Sequence, residues 1–408
     1  MVLQVHKPKI GQKHPDDVVI VCAVRTAITK AYRGGFKDTK PERLLTEVLK
    51  AVIDRTKLEP ALVDDVVVGT VCSPGAGAGL SRMAVLSAGL PERCSVMSVN
   101  RQCSSGLQAV CTIASEISNG MIDIGIGAGM ESMTHYYNTK ENPLLPTRID
   151  QNFMEDGPDC IAECLIPMGI TSDNVARDFG VTRYRQDLLS VRSHRNAAYA
   201  QKSGHFTKEI VPVAVDFVEK DGSVTKKIIS EDDGIRTGTT LETLAKLKAV
   251  FGDDGTTTAG NASQISDGAA AVLLMKRKTA IELGLPIMGK YIANAVVGVP
   301  PRVMGIGPAF AIPAAAKKAN IKISDIDILE LNEAFASQAS YCIEKIQIDA
   351  SKVNPSGGAI ALGHPLGCTG ARQIATLMHA LKRQSKHIGA VSMCMGTGMG
   401  MCAIFESE

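Results

Sequence analysis

Apolar runs of strand length alternate along this chain with glycine-punctuated turns and stretches of helical periodicity. Residues 18–24 (VVIVCAV) form one continuous apolar run, followed by turn-rich residues 32–35 and a helix predicted from Pro41 to about Arg55. Residues 66–69 predict a second strand, 82–89 a helix, and 95–100 a short strand running into Cys103-Ser-Ser-Gly106. Leu107, Val110, Ile113, Ala114 and Ile117 then recur at three and four residues, which marks one helical face. Residues 123–128 follow as a glycine-interrupted strand. This is the alternation of an α/β fold.

The same order returns in the last third, which predicts two copies of one fold unit. Asp325-Ile-Asp-Ile-Leu-Glu330 matches Asp64-Asp-Val-Val-Val-Gly69, and residues 390–393 stand as a final strand where 124–128 stood. From Asp64 to Cys103 is 39 residues, and from Asp325 to His364 is also 39. Cys103 and His364 are each followed three positions later by glycine, Gly106 and Gly367, and then by a helix. The spacing places both at equivalent turns ahead of helices that a pseudo-twofold axis brings face to face. Residues 134–257 differ in texture, with short charged and glycine-containing pieces, and residues 136–141 and 231–234 read as surface turns. They predict an inserted loop domain.

Composition narrows the function. At 408 residues the chain exceeds one ordinary core, and 45% apolar residues with 38 Gly and 18 Pro describe a compact protein. A formal charge of +2 with interspersed signs leaves no nucleic-acid footprint. No apolar run reaches the roughly 18 residues of a membrane span, and the first residues lack a signal-peptide core, so a soluble, unexported protein is expected. Eleven cysteines without any CxxC pair fit a reducing compartment and argue against a zinc site or other metal. Each cysteine is by default a small core hydrophobe. Context must lift any above that.

Four loops carry candidate chemistry. Cys103 lies in Asn100-Arg-Gln-Cys-Ser-Ser-Gly106, between a strand and a helix whose first turn favours thiolate and offers N–H donors, though Ser-Ser-Gly is equally an ordinary N-cap. His364 sits among glycines in residues 354–367, with Pro365 read as the first helical residue; it is the side chain suited to take a thiol proton near neutral pH. Cys394 is followed by Met395-Gly-Thr-Gly-Met-Gly400, read as an N–H-rich loop directly after a strand, or else a bland turn. Asn332 opens Asn332-Glu-Ala-Phe335 at a strand end, as a turn residue or as a holder of water or a carbonyl.

With these loops assembled, the chain closely resembles the thiolase family from about Val18 to Phe405, above all the peroxisomal 3-ketoacyl-CoA thiolases of fatty-acid β-oxidation. The signatures are the segments around Cys103, Asn332-Glu-Ala-Phe-Ala336, Gly357-Gly-Ala-Ile-Ala-Leu-Gly-His-Pro-Leu-Gly367 and Cys394-Met-Gly-Thr-Gly398. The resemblance implies a five-layered αβαβα fold of two duplicated lobes. The expected division is 17–133 plus 258–282 for the first lobe, 134–257 for a CoA-binding loop domain and 283–408 for the second.

The resemblance further implies thiolytic cleavage of 3-ketoacyl-CoA to acetyl-CoA and a shortened acyl-CoA. Cys103 is then the acylated nucleophile, His364 its base, and Cys394 the acid/base toward the departing acetyl unit. His364 and a water held by Asn332 face one oxyanion; the backbone N–H groups of Cys103 and Gly396 face the other. Coenzyme A is a co-substrate, with no permanent cofactor, and Arg236, Thr243, Ala259 and Ser263 are expected to contact it. Met168, Met304 and Phe335 match apolar positions lining the pantetheine and acyl channel. A homodimer is expected.

The family's N-terminal targeting nonapeptide finds a degenerate counterpart in Lys7-Pro8 and His14-Pro15, and the final Glu-Ser-Glu is no peroxisomal address. Peroxisome is therefore expected ahead of cytoplasm or mitochondrion. The rival activities are an acetoacetyl-CoA-specific thiolase working in the condensing direction, a decarboxylating condensing synthase and an inactive CoA binder. A second thiol at Cys394 argues against the last two.

Overall fold

The computed structural model describes residues 6–137, 149–158 and 160–408. Nine strands build the frame: β1 (Val18–Thr26), β2 (Asp65–Gly69), β3 (Ser95–Val99), β4 (Ile124–Ser132), β5 (Ser266–Lys276), β6 (Gly289–Gly298), β7 (Ile328–Leu331), β8 (Ile388–Met395) and β9 (Met399–Ser407). In the first lobe the order is β3-β2-β4-β5-β1, with β2 parallel to β3 and β4, and β5 antiparallel to β4 and β1. In the second, β7 runs parallel to β8 and meets Val353 in a parallel bridge; β9 is antiparallel to β8 and β6. Strand for strand this is one topology used twice. Among the described residues the two sheets are joined where β1 pairs with β6, at Val19↔Lys290 and Ile20↔Gly289.

Strand periodicity sorts the core into layers, because successive side chains leave a strand on opposite faces. On β5, Ala269, Ala271, Leu273 and Met275 pack outward on α1 (Pro41–Thr56) and α2 (Ala78–Ser87), whereas Ala270, Val272 and Leu274 face inward. Inside, two helices lie between the sheets: α3 (Ser105–Ser118), which follows Cys103, and a long helix at Leu366–Gln384, which follows His364. On β9, Met401, Ala403 and Phe405 meet these central helices, and Cys402 and Ile404 turn outward. The outer layer there is α7 (Gly307–Ala319) and α8 (Ala336–Ile346), numbered after the intervening α4 (Met168–Asp178), α5 (Arg183–Lys202) and α6 (Leu241–Ala245). The helix at Leu366–Gln384 is α9. Helix, sheet, helices, sheet, helix is the five-layered αβαβα arrangement of a thiolase fold.

Glycine sets how closely the two central helices cross. A Cβ on Gly106 would stand 2.6 Å from the Gly367 carbonyl oxygen, and one on Gly370 would stand 2.2 Å from the Leu107 nitrogen. Backbone meets backbone at this crossing, so there is no side chain to move aside.

Several expectations are corrected. The equal 39-residue spacing is offset by two: Asp64 accepts from the amides of Asp123 and Ile124, and it is Asp327 that accepts from those of His387 and Ile388. The strand expected at 390–393 spans Ile388–Met395 and is not the last, since β9 follows it. Pro365 caps α9 and Leu366 is its first residue.

The segment read as short pieces contains the 20-residue α5, whose buried side carries Gln186, Asp187, Ser190, Ser193 and His194. A polar buried face leaves no hydrophobic period to find. Residues 231–234 are no surface turn: Asp232 is buried and takes two hydrogen bonds from the Arg25 guanidinium, 2.7 and 2.9 Å, while Arg25 also donates to Glu209 at 2.6 Å. Breaking one partner of such a buried cluster typically costs about 3–5 kcal/mol. Of the other expected turn, Tyr136 ends a short helix (Met133–Tyr136) and residues 138–141 lie outside the described residues.

Candidate active site

The turn between β3 and α3 presents Cys103. Gln102 adopts φ 49°, held by its amide donating to Asn100 Oδ1 at 2.9 Å, and the Arg101 amide donates to Ser105 Oγ at 2.9 Å. A left-handed non-glycine residue costs on the order of 1 kcal/mol, and here it turns the next residue inward. The Gly396 N–H and the residue's own backbone N–H lie near the Cys103 thiol and favour its ionised form. It is nevertheless no ready thiolate. Burial pushes its pKa up to about 11, those two N–H groups pull against the rise, and the charge of Glu131 adds to it. The helix N-terminus therefore loses to desolvation, contrary to the expectation from sequence.

His364 lies across the helix crossing, buried, two residues ahead of α9. Gly363 before it has φ 107°, and a Cβ there would strike Ser266 Oγ at 2.2 Å, so only glycine suits this approach. The Thr369 hydroxyl donates to the Pro365 carbonyl at 2.9 Å, so its oxygen accepts from His364 Nδ1, 2.6 Å away. That leaves the lone pair on Nε2, which accepts from Asn332 Nδ2 at 3.2 Å. Burial, with Arg372 adding, lowers the imidazole pKa to about 3. The resting pair is a neutral imidazole and a neutral thiol.

Asn332 ends β7, with its amide nitrogen donating to the Ser392 carbonyl at 2.9 Å. Its side-chain Oδ1 is buried and takes no hydrogen bond among the described residues. Cys394 lies inside β8, paired with Gly400 of β9, not on a loop after the strand. The loop is only residues 396–398, a tight hairpin in which Thr397 and Gly398 have φ 67° and 88°. The Cys394 thiol is fully buried and its pKa is raised by desolvation and by the nearby Cys103. Gly396, which turns its N–H to Cys103, also lies beside Met168 Sδ and the Gln102 side chain.

The structure thus sets Asn332 against His364, and Cys103 beside Cys394 and Gly396. Met168, Met304 and Phe335 cluster with Ala334 around Cys394. Ser263 donates its amide to the Ala334 carbonyl at 3.0 Å, and Ala262 bridges Phe335, which sets the 258–263 segment beside this cluster. Exposed Ala259 and Thr243 are neighbours through Gly260, which packs on Leu244 and Leu247. The Thr243 hydroxyl is committed to the cap of α6. Arg236 is exposed, its amide donating to His194 Nδ1 at 3.1 Å, and nearby Gly234 accepts from the Gln264 side-chain amide, which also donates to the Ile360 carbonyl.

Three residues that hold the site were not anticipated: Thr369, which fixes the imidazole tautomer; Glu333, which accepts from Ser193, Asn354 and the Ile360 amide; and Glu131. For the two glutamates a signal existed. Glu131 is an acidic residue at the end of an otherwise apolar strand, and Glu333 is an acidic residue two positions past the end of β7; in either place an unpaired charge would be costly.

Among the described residues no group of three or more His, Cys, Asp or Glu is arranged to hold a metal, and no helix is long and apolar enough to cross a membrane.

Comparison with known proteins agrees with this geometry. Residues 18–278 match the thiolase N-terminal domain model and residues 285–407 the thiolase C-terminal domain model. The rat protein named peroxisomal 3-ketoacyl-CoA thiolase B is 55% identical over 396 residues, 97% of this chain and 92% of its own. The human peroxisomal 3-ketoacyl-CoA thiolase is 54% identical, covering 96% and 91%. Among solved structures, the dimeric peroxisomal thiolase of Saccharomyces cerevisiae superposes with TM-score 0.90 at 46% identity over 98% of this chain and 99% of that one. The Bacillus anthracis acetyl-CoA acetyltransferase does so at 0.86 and 36%, over 96% and 99%. With family models matched over residues 18–278 and 285–407 and 97% of the chain aligned to the rat enzyme, this chain belongs to the thiolase family.

Proposed function

We infer that the chain is a peroxisomal 3-ketoacyl-CoA thiolase, an acyltransferase that cleaves 3-ketoacyl-CoA with coenzyme A in fatty-acid β-oxidation. The observation that carries this reading is the placement of Cys103 ahead of α3 beside the buried Cys394, with Asn332 hydrogen-bonded to His364 ahead of α9. The more than 50% identical relatives from rat and human, both named peroxisomal, support the compartment and substrate class.

In this reading substrate enclosure brings His364 Nε2 into use as base, and Cys103 Sγ attacks the 3-keto carbon. Oxygen charge at that carbon meets the N–H groups of Gly396 and Cys103. Breaking C2–C3 leaves an acetyl-CoA enolate, which His364 and a water on the unpartnered Asn332 Oδ1 stabilise and Cys394 protonates. A second CoA thiol then takes the acyl group from Cys103. Coenzyme A is bound as substrate by Arg236, Thr243, Ala259 and Ser263, with Met168, Met304 and Phe335 along the channel. Soft methionine walls suit acyl chains of varied length.

We divide the chain as 17–133 with 258–282, 134–257, and 283–408. β5 supports the first grouping, since it completes the β3-β2-β4-β5-β1 sheet. A homodimer is part of the proposal. The similar yeast thiolase is dimeric, and β3 is an edge strand with Met97 exposed beside exposed Met83 and Leu86.

Rates of CoA-dependent cleavage on a long-chain 3-ketoacyl-CoA and on acetoacetyl-CoA test the reading. Turnover of the long substrate is expected; activity confined to acetoacetyl-CoA would replace it with the acetyltransferase alternative.

A further inference from the structure

The repeated topology allows position-by-position comparison of the two strands that end at the site. Asp65 pairs with Gly125 in the first lobe and Ile328 with Gly389 in the second, so counting along β4 and β8 sets Met130 against Cys394 and Glu131 against Met395. Each of the latter two meets the helix of the other lobe. The Ser104 hydroxyl, at the cap of α3, donates to Met395 Sδ at 2.7 Å. On the other side Glu131 Oε2 accepts from the Gly367 amide in the first turn of α9 at 2.9 Å. One helix is met by a neutral thioether and the other by a carboxylate.

Glu131 is fully buried, and all its partners are neutral. Besides Gly367, Oε2 accepts from the Val71 amide at 3.0 Å, and Oε1 accepts from the Cys72 amide at 3.2 Å and the Thr70 hydroxyl at 3.4 Å. It thus ties β4, the loop after β2 and the start of α9 at one point. Burial raises the pKa of three thiols on the elements packed around it, Cys72 on the loop, Cys103 ahead of α3 and Cys368 in α9, and the charge of Glu131 adds to each rise. A carboxylate in this place makes the nucleophile harder to ionise.

We propose that Glu131 is a positioning residue for acyl transfer: it pins the start of α9, the helix that His364 precedes, to the nucleophile's lobe. Only a carboxylate accepts at both ends. A glutamine turns an NH₂ toward backbone donors at one end and must release either the Gly367–Val71 pair or the Cys72–Thr70 pair. Negative charge near α9 also offsets the positive field of its first turn, whereas α3 keeps its field for Cys103.

The charge and the tether predict effects of opposite sign, which a merely structural role does not. In the full chain, iodoacetamide alkylation of Cys103 is followed against pH on its peptide, beside the rate of acetyl transfer from acetyl-CoA to Cys103. In Glu131→Gln the alkylation midpoint is expected to fall by about one pH unit while acetyl transfer slows at least about tenfold. In Glu131→Asp, which keeps the charge on a shorter arm, transfer slows at an unmoved midpoint. An unmoved or raised midpoint in Glu131→Gln, or transfer at the wild-type rate in either variant, overturns the proposal. Should Glu131→Gln not fold, Glu131→Asp alone decides on the same criteria. The inference rests on Cys103 being the nucleophile, which acetyl uptake by the unaltered chain checks independently of Glu131.

Discussion

The two lobes share a topology and divide the chemistry unequally. Cys103 and His364 occupy the same turn, each two residues before a central helix, whereas Asn332, Cys394 and Gly396 all come from the second lobe. Where that lobe has Asn332, the first has Gly69, whose Cβ would stand 2.4 Å from the Gly106 nitrogen. Where it has Cys394, the first has Met130. The first lobe packs its strand ends tightly under α3 and presents Cys103. The second opens the same positions to side chains and presents His364, an amide, a second thiol and the Gly396 N–H. In the proposed mechanism duplication supplies two opposed helix starts, and side-chain replacement at a few strand ends makes one the attacker and the other the proton handler.

Substitutions that erase this asymmetry are expected to act in a definite order. Cys103→Ala removes the first lobe's single contribution and should lower thiolysis on the order of 10⁶-fold with unchanged circular dichroism. His364→Ala should cost about 10²–10⁴-fold and change the shape of the pH profile. In the unaltered chain the imidazole stays unprotonated above its pKa of about 3, so Cys103 acylation is flat between about pH 5 and 9. Without it, acylation needs preformed thiolate and should climb tenfold per pH unit toward the thiol's pKa of about 11. A flat profile in the variant would assign the proton to another group.

Cys394→Ala sharpens the division within the second lobe. Acetyl-CoA should still acylate Cys103, while exchange of the acetyl-CoA methyl protons, read by deuterium uptake, drops about 10²–10⁴-fold. Persistent exchange would show a different base. Asn332→Ala should cost about 10²–10³-fold in turnover, the usual worth of one oxyanion donor. The smallest effect concerns the crossing itself. Gly370→Ala forces Cβ onto Leu107 and should destabilise the chain by about 1–3 kcal/mol in denaturant unfolding.

The loops of the candidate site were legible because close backbone approach demands glycine, and glycine around Cys103, His364 and Cys394 is visible in one dimension. The helices α1 and α3 were legible from their apolar period. What escaped had its cause in burial of polar groups. Asp232 looks like a turn residue until Arg25, distant in sequence, folds over it, and α5 hides its inward face behind serine, glutamine and histidine. The acidity of Cys103 was misjudged for a related reason: a helix N-terminus can be read locally, but desolvation depends on everything packed around the thiol. Glu131 escaped because the groups it binds come from the loop after β2 and from α9, a lobe away.

The most direct test of the account is mass spectrometry of the chain after incubation with acetyl-CoA. One acetyl group on the peptide containing Cys103, absent from Cys103→Ala and present in Cys394→Ala, is the predicted result. An acetyl group carried by Cys394 or by any other cysteine, with Cys103 unmodified, would contradict it.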